Sequence, residues 1–161
     1  MLVCGIDPGK KGAFVFLSLS EENPVFKHFP MPLHNDEVHY KGIRELLLQP
    51  DLQPDHIYLE RAMPMAMGSK HAFNYGRGFA ALEIAIQVVY LPVTYVEPSK
   101  WTKALFEGID SRLKPKERSI IAGERLLPAF VEKIPRNKNG RLDEGVLDAL
   151  LIAYYGLKKS N

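Results

Sequence analysis

The chain has 161 residues, 46% hydrophobic and 25% charged, with a net charge of +2. That length suits one domain with a sizeable core, and the balance excludes a disordered chain. No apolar run approaches the roughly 20 residues of a membrane span, and Asp7 with Lys10 and Lys11 breaks the N-terminus too early for a signal peptide.

Met1–Ile6 is apolar and strand-like, Asp7-Pro8-Gly9 turns the chain, and residues 12–17 resume the strand pattern. The single cysteine, Cys4, lies in the first run and reads as a buried strand residue. Residues 24–29 form a third strand after a Glu21-Glu22-Asn23 turn, which completes an antiparallel meander. Val38, Ile43, Leu46 and Leu47 follow helical spacing over residues 36–48, with Asp36 as a possible cap. A short buried-strand pattern, His56–Leu59, then ends at Glu60. Residues 62–70 read as a loop, 72–90 as a long helix and 92–96 as a fifth strand. Helices over 98–106 and 115–127, a polar loop at 135–141 and a closing helix over 143–158 complete the chain. This order predicts one α/β domain over residues 1–161. Its mixed five-stranded sheet combines the meander with two parallel strands, and helices cover the faces.

Three carboxylates sit on the ends or flanks of apolar elements. Asp7 ends the first strand, Glu60 ends the fourth, and Asp148 interrupts the run Val146–Ala153. Such a group is costly to bury unless it is paired, protonated or bound to a cation. The first strand of a mixed sheet often neighbours the first strand after the meander, which would set Asp7 beside Glu60. The last helix, packed across the sheet, would bring Asp148 to them. Glu144, four residues before Asp148, projects from the same helix face, whereas Asp143 reads as an N-cap pointing away.

These segments resemble the motifs of RuvC-type Holliday-junction resolvases. Gly5-Ile6-Asp7-Pro8-Gly9 resembles their opening, Leu59-Glu60 their second motif, and Val93 to Trp101 the strand and turn that carry a P-x-x-W/V-type sequence. Asp143 to Ala153 resembles their last helix. The likeness runs in order along nearly the whole chain. It implies an RNase H-like fold, a homodimer, and Mg²⁺-dependent symmetric nicking of four-way DNA junctions in recombination and repair, with Mn²⁺ able to replace Mg²⁺. It assigns Asp7, Glu60 and Asp148 to the metal centre. Many members carry an acid or histidine three residues before the final Asp. Here that position is Gly145, so Glu144, or alternatively Asp143, must substitute. The departure suggests a divergent, viral-type branch.

Two divalent ions about 3.5–4 Å apart suit such a carboxylate set, since they activate water and stabilise the leaving oxygen. Asp7 is the expected bridge, Glu60 and Asp148 would hold one ion each, and Glu144 would complete the set. A basic collar is expected to grip phosphates. Its members are Lys10 and Lys11, Lys70, His71 and Arg77, Lys100 and Lys103, Lys114, Lys116 and Arg118, and Arg136, Lys138 and Arg141. Phe73 is placed to stack on a base at a branch point, and the long helix offers a dimer face. No small-molecule cofactor or membrane partner is expected, and the location is cytoplasmic, in a bacterial cell or a virus-infected host cell. Three alternatives stay open: a related nuclease acting on other branched or flap DNA, a phosphate-binding ATPase lobe, and a branched-DNA binder with weakened catalysis.

Overall fold

The computed structural model describes residues 1–61 and 68–160; the loop expected at 62–70 falls largely outside them. Strands β1 (Val3–Ile6), β2 (Ala13–Ser18) and β3 (Val25–Pro30) form the meander. A two-stranded hairpin follows, β4 (Leu33–His34) and β5 (Glu37–Val38), and then helix α1 (Tyr40–Leu47). Strand β6 (His56–Glu60), helix α2 (Ser69–Val88) and strand β7 (Val93–Val96) alternate after it. Helices α3 (Pro98–Leu105), α4 (Pro115–Leu126), α5 (Pro128–Val131) and α6 (Glu144–Ser160) end the chain. The main sheet has the order β3-β2-β1-β6-β7. β1 pairs antiparallel with β2 and parallel with β6, and β6 pairs parallel with β7. The expected mixed sheet is present.

Strand alternation divides the core in two. Val3, Val15, Leu17 and Tyr58 face α6 together with α3, α4 and α5. Cys4, Ile6, Phe14, Phe16, Ile57 and Leu59 face α1 and α2. Cys4 is fully buried with a free thiol, as expected. Among the described residues, no helix is long and apolar enough to cross a membrane.

Two local expectations need correction. Asp36 does not cap α1, whose N-cap is His39. Asn35 and Asp36 instead have φ of 50° and 60° and make the two-residue turn between β4 and β5. Such hairpins require positive φ at both central residues, a conformation that Asn and Asp tolerate. Residues 128–131, which carried no element in the sequence reading, form the short helix α5, where Val131 reaches the α6-side core.

Candidate metal and nucleic-acid site

Asp7 follows β1 directly and Glu60 is the last residue of β6. Ile6 stands opposite Leu59 in the parallel pair, so the next residues along, Asp7 and Glu60, emerge at the same end of neighbouring strands. The Asp7 amide donates to Ala13 O at 3.1 Å and keeps this residue in the β1–β2 ladder. The alternation that turns Val3 and Tyr58 toward α6 turns Asp7 and Glu60 to that same face.

Glycine brings α6 close enough to join them. A Cβ at Gly5 would overlap the Ala149 carbonyl, and one at Gly145 would overlap the Lys11 carbonyl. Residues 145, 149 and 153 therefore form the stripe of α6 that touches β1 and the β1–β2 turn. Asp148 lies in the same turns of helix, beside the strand ends. Gly145, the position that departs from the resolvase pattern, is where helix and turn meet.

The electrostatics record the convergence. Burial raises the Asp7 carboxyl to about 8, and Asp148, Glu60 and Asp143 add to the shift in that order. Burial also raises Asp148, to about 6; Glu144 adds to this, while a hydrogen bond from Ser119 and the charge of Lys116 oppose it. Glu60 is raised by burial and by Asp148, and a hydrogen bond from Trp101 opposes the rise. Each shift marks a carboxylate out of water among like charges. Asp148 Oδ1 is buried and finds no hydrogen-bond partner among the described residues.

The two candidates for a fourth acid occupy different places. Asp143 is the N-cap expected from the sequence, its Oδ1 accepting from the Val146 amide at 3.1 Å. Its charge also acts on Asp7, as the smallest of the influences that raise that carboxyl. Glu144 is half exposed and ion-paired with Lys116, and its charge acts on Asp148.

Two neutral donors escaped the sequence reading. Trp101 Nε1 donates to Glu60 Oε2 at 2.7 Å. Ser119, buried on α4, serves Asp148. Trp101 was visible only as part of a motif, and nothing in the spacing of Ser119 marks it.

The basic candidates scatter. Lys10 and Lys11 lie in the β1–β2 turn next to Asp7, and Lys116 reaches the start of α6. Lys114 precedes α4, with its amide capped by Glu117 at 3.0 Å. Arg118 lies over the Phe106 ring, 4.9 Å from its centroid. Arg136, Lys138 and Arg141 belong to the turn before α6, where Arg136 donates to Gly140 O at 2.9 Å. Lys70, His71, Phe73 and Arg77 share the exposed start of α2. Phe73 is 65% exposed with the Arg77 guanidinium over its ring. Lys10 and Arg77 pair at 2.5 Å with consecutive hairpin acids, Asp36 and Glu37. Lys103 is exposed on α3. Lys100, also on α3, lines a groove of about 360 Å³ with Glu97, Tyr155 and Lys159.

The donor set suits a hard divalent cation. It offers only carboxylate oxygens, desolvated, mutually repelling and in part without partners. Among the described residues, no group of three His, Cys, Asp or Glu side chains is already drawn up to hold an ion. Repulsion among the acids is a sufficient reason for them to stand apart, and a cation removes it.

No protein-family model and no curated protein matches the chain. Solved structures do. RuvC of Thermus thermophilus, in complex with Holliday junction substrate, matches with a TM-score of 0.67 and 17% identity over 99% of this chain and 95% of that one. The fowlpox virus resolvase, solved with substrate Holliday junction DNA, matches at 0.59 and 15% identity over 99% of both chains. The yeast mitochondrial Holliday junction resolvase matches at 0.52 and 16% identity over 95% of this chain and 76% of that one. The chain therefore has the RNase H-like fold of RuvC-type and viral-type Holliday-junction resolvases.

Proposed function

We propose that the protein is a divalent-metal-dependent endonuclease that resolves four-way DNA junctions by paired phosphodiester hydrolysis. The observation that supports this reading is the close seating of α6 on β1 and the β1–β2 turn at Gly5 and Gly145, with the charge of Asp148 acting on both Asp7 and Glu60. Asp7, Glu60 and Asp148 would hold Mg²⁺ or Mn²⁺. Asp143 has a stronger claim than Glu144 to be the fourth acid, since its charge acts on Asp7 while Glu144 is engaged by Lys116. When bound, such ions neutralise the approaching phosphate and activate water for in-line attack.

The rest is done by the chain itself. Lys10, Lys11 and Lys116 offer phosphate contacts beside the acids. Phe73, exposed at the start of α2, offers a ring to an unstacked base. Ile84 and Val88 are 52% and 51% exposed on one face of α2, which supports this helix as the pairing face of a homodimer with two equivalent sites. A binder that has lost catalysis draws no support from Gly145, because packing against Lys11 accounts for that residue.

The test is a labelled four-way junction incubated with protein and Mg²⁺, beside EDTA, a flap and a linear duplex. Wild type is expected to make symmetric nicks in the junction only with metal. Asp7→Asn is expected to cut more than about 100-fold more slowly while binding the junction undiminished. Preference for the flap would favour the related-nuclease reading, and equal cutting by Asp7→Asn would refute the site.

A further inference from the structure

We propose that Trp101 is a positioning residue whose indole N–H orients the Glu60 carboxylate for a divalent cation. The inference rests on the carboxylate site proposed above. Its basis is the 2.7 Å hydrogen bond from Trp101 Nε1 to Glu60 Oε2, made between α3 and the end of β6. The bond takes one carboxylate oxygen and leaves Oε1 for a cation.

The indole is a fixed donor. Trp101 is 4% exposed and packs edge-on against Phe106, with ring centroids 5.6 Å apart at 86°. Phe106 is in turn covered by the Arg118 guanidinium. A ring held this way cannot swing to follow a mobile carboxylate, so the carboxylate must conform to it. Glu has more rotatable bonds than Asp, and of the three central acids Glu60 alone has that extra freedom to lose.

The donor is also neutral, which matters more. A Lys or Arg at this position would cancel the charge that the cation needs, as Lys116 does for Glu144. An indole N–H donates once, accepts nothing and carries no charge. It satisfies one oxygen and leaves the full negative charge in place.

Trp101 is the chain's one tryptophan, so its emission reports on this bond directly. The experiment titrates Mg²⁺ into the full-length protein and follows emission and heat. It compares wild type, Trp101→Phe, and a protein carrying benzothienylalanine at position 101, which keeps the ring's shape but has sulfur in place of N–H. Wild type is expected to give a saturable emission change that Glu60→Gln abolishes. The sulfur isostere is expected to keep its melting temperature and to bind Mg²⁺ about 10–100-fold more weakly by calorimetry, with Trp101→Phe similar. Mg²⁺ affinity equal to wild type in the isostere would reduce Trp101 to packing and overturn the proposal. Weakened Mg²⁺ binding beside a wild type that cuts no junction would leave the positioning role standing and remove the junction reading. No Mg²⁺ response in wild type would overturn both.

Discussion

The two faces of the sheet solve different problems. The face toward α1 and α2 closes on Ile6, Phe14, Phe16, Ile57, Leu59, Leu82 and Ile86. The face toward α6 is built from the same alternating strands, yet at its end it carries three partly buried carboxylates whose charges act on one another. The first arrangement is stable by itself; the second is stable only with its acids protonated or countered by cations. Reserving the acids to one face leaves the other to supply the stability that grouping like charges costs.

Breaking the apolar face should have the largest effect on stability. Leu82→Ala is expected to cost about 2–5 kcal/mol in denaturant unfolding, equally with and without Mg²⁺ and at any pH from 5 to 9. A cost that depends on metal would mean the two faces are not separable.

Gly145→Ala tests the seam on the other face. The added methyl meets the backbone of Lys11 and Gly12, so about 1–3 kcal/mol of stability should be lost. Junction cleavage should fall further than stability explains, because α6 and Asp148 are lifted from Asp7. Full activity in a stable variant would show that the seam does not set the site.

A third test uses proton linkage. Asp7 and Asp148 have folded-state values raised to about 8 and about 6 from an ordinary 3.8. The folded protein therefore holds protons that the unfolded chain releases. That stability is fully present below about pH 4 and is lost as pH rises through 6 and then 8. Without metal the melting temperature should fall by several degrees between pH 5 and pH 8. Saturating Mg²⁺ should flatten the slope, and Asp7→Asn should flatten it without metal. An unchanged slope in Asp7→Asn would remove Asp7 as its source.

The smallest effect is expected at the hairpin. Asp36 and Glu37 pair with Lys10 and Arg77 in water, where such bridges contribute less than about 1 kcal/mol. Asp36→Asn with Glu37→Gln should leave the melting temperature almost unchanged. Low-salt affinity for DNA should rise a few-fold as two cations are released to phosphate. No change in the salt dependence of binding would mean that neither cation contacts DNA.

Much of this molecule was legible in its residues. Alternation and helical spacing marked all five strands of the sheet and most helices, because burial on one side of a strand or helix imposes its period on the chain. Asp7, Glu60 and Asp148 stood out because a charge among core residues needs a reason. The Asn35-Asp36 turn was misread as a helix start, since both residue types serve caps and left-handed turns alike, and only the pairing of β4 with β5 decides between them.

The sequence by itself determined the order of elements, the parity that turns Asp7 and Glu60 to one face, and the presence of three acids to explain. Tertiary structure alone decided their company: that Gly145 seats α6 on Lys11, that Asp143 acts on Asp7 while Lys116 claims Glu144, and that Trp101 and Ser119 serve Glu60 and Asp148. Periodicity is local and follows from the backbone, whereas these partnerships join residues distant in the chain whose meeting depends on how closely whole elements pack.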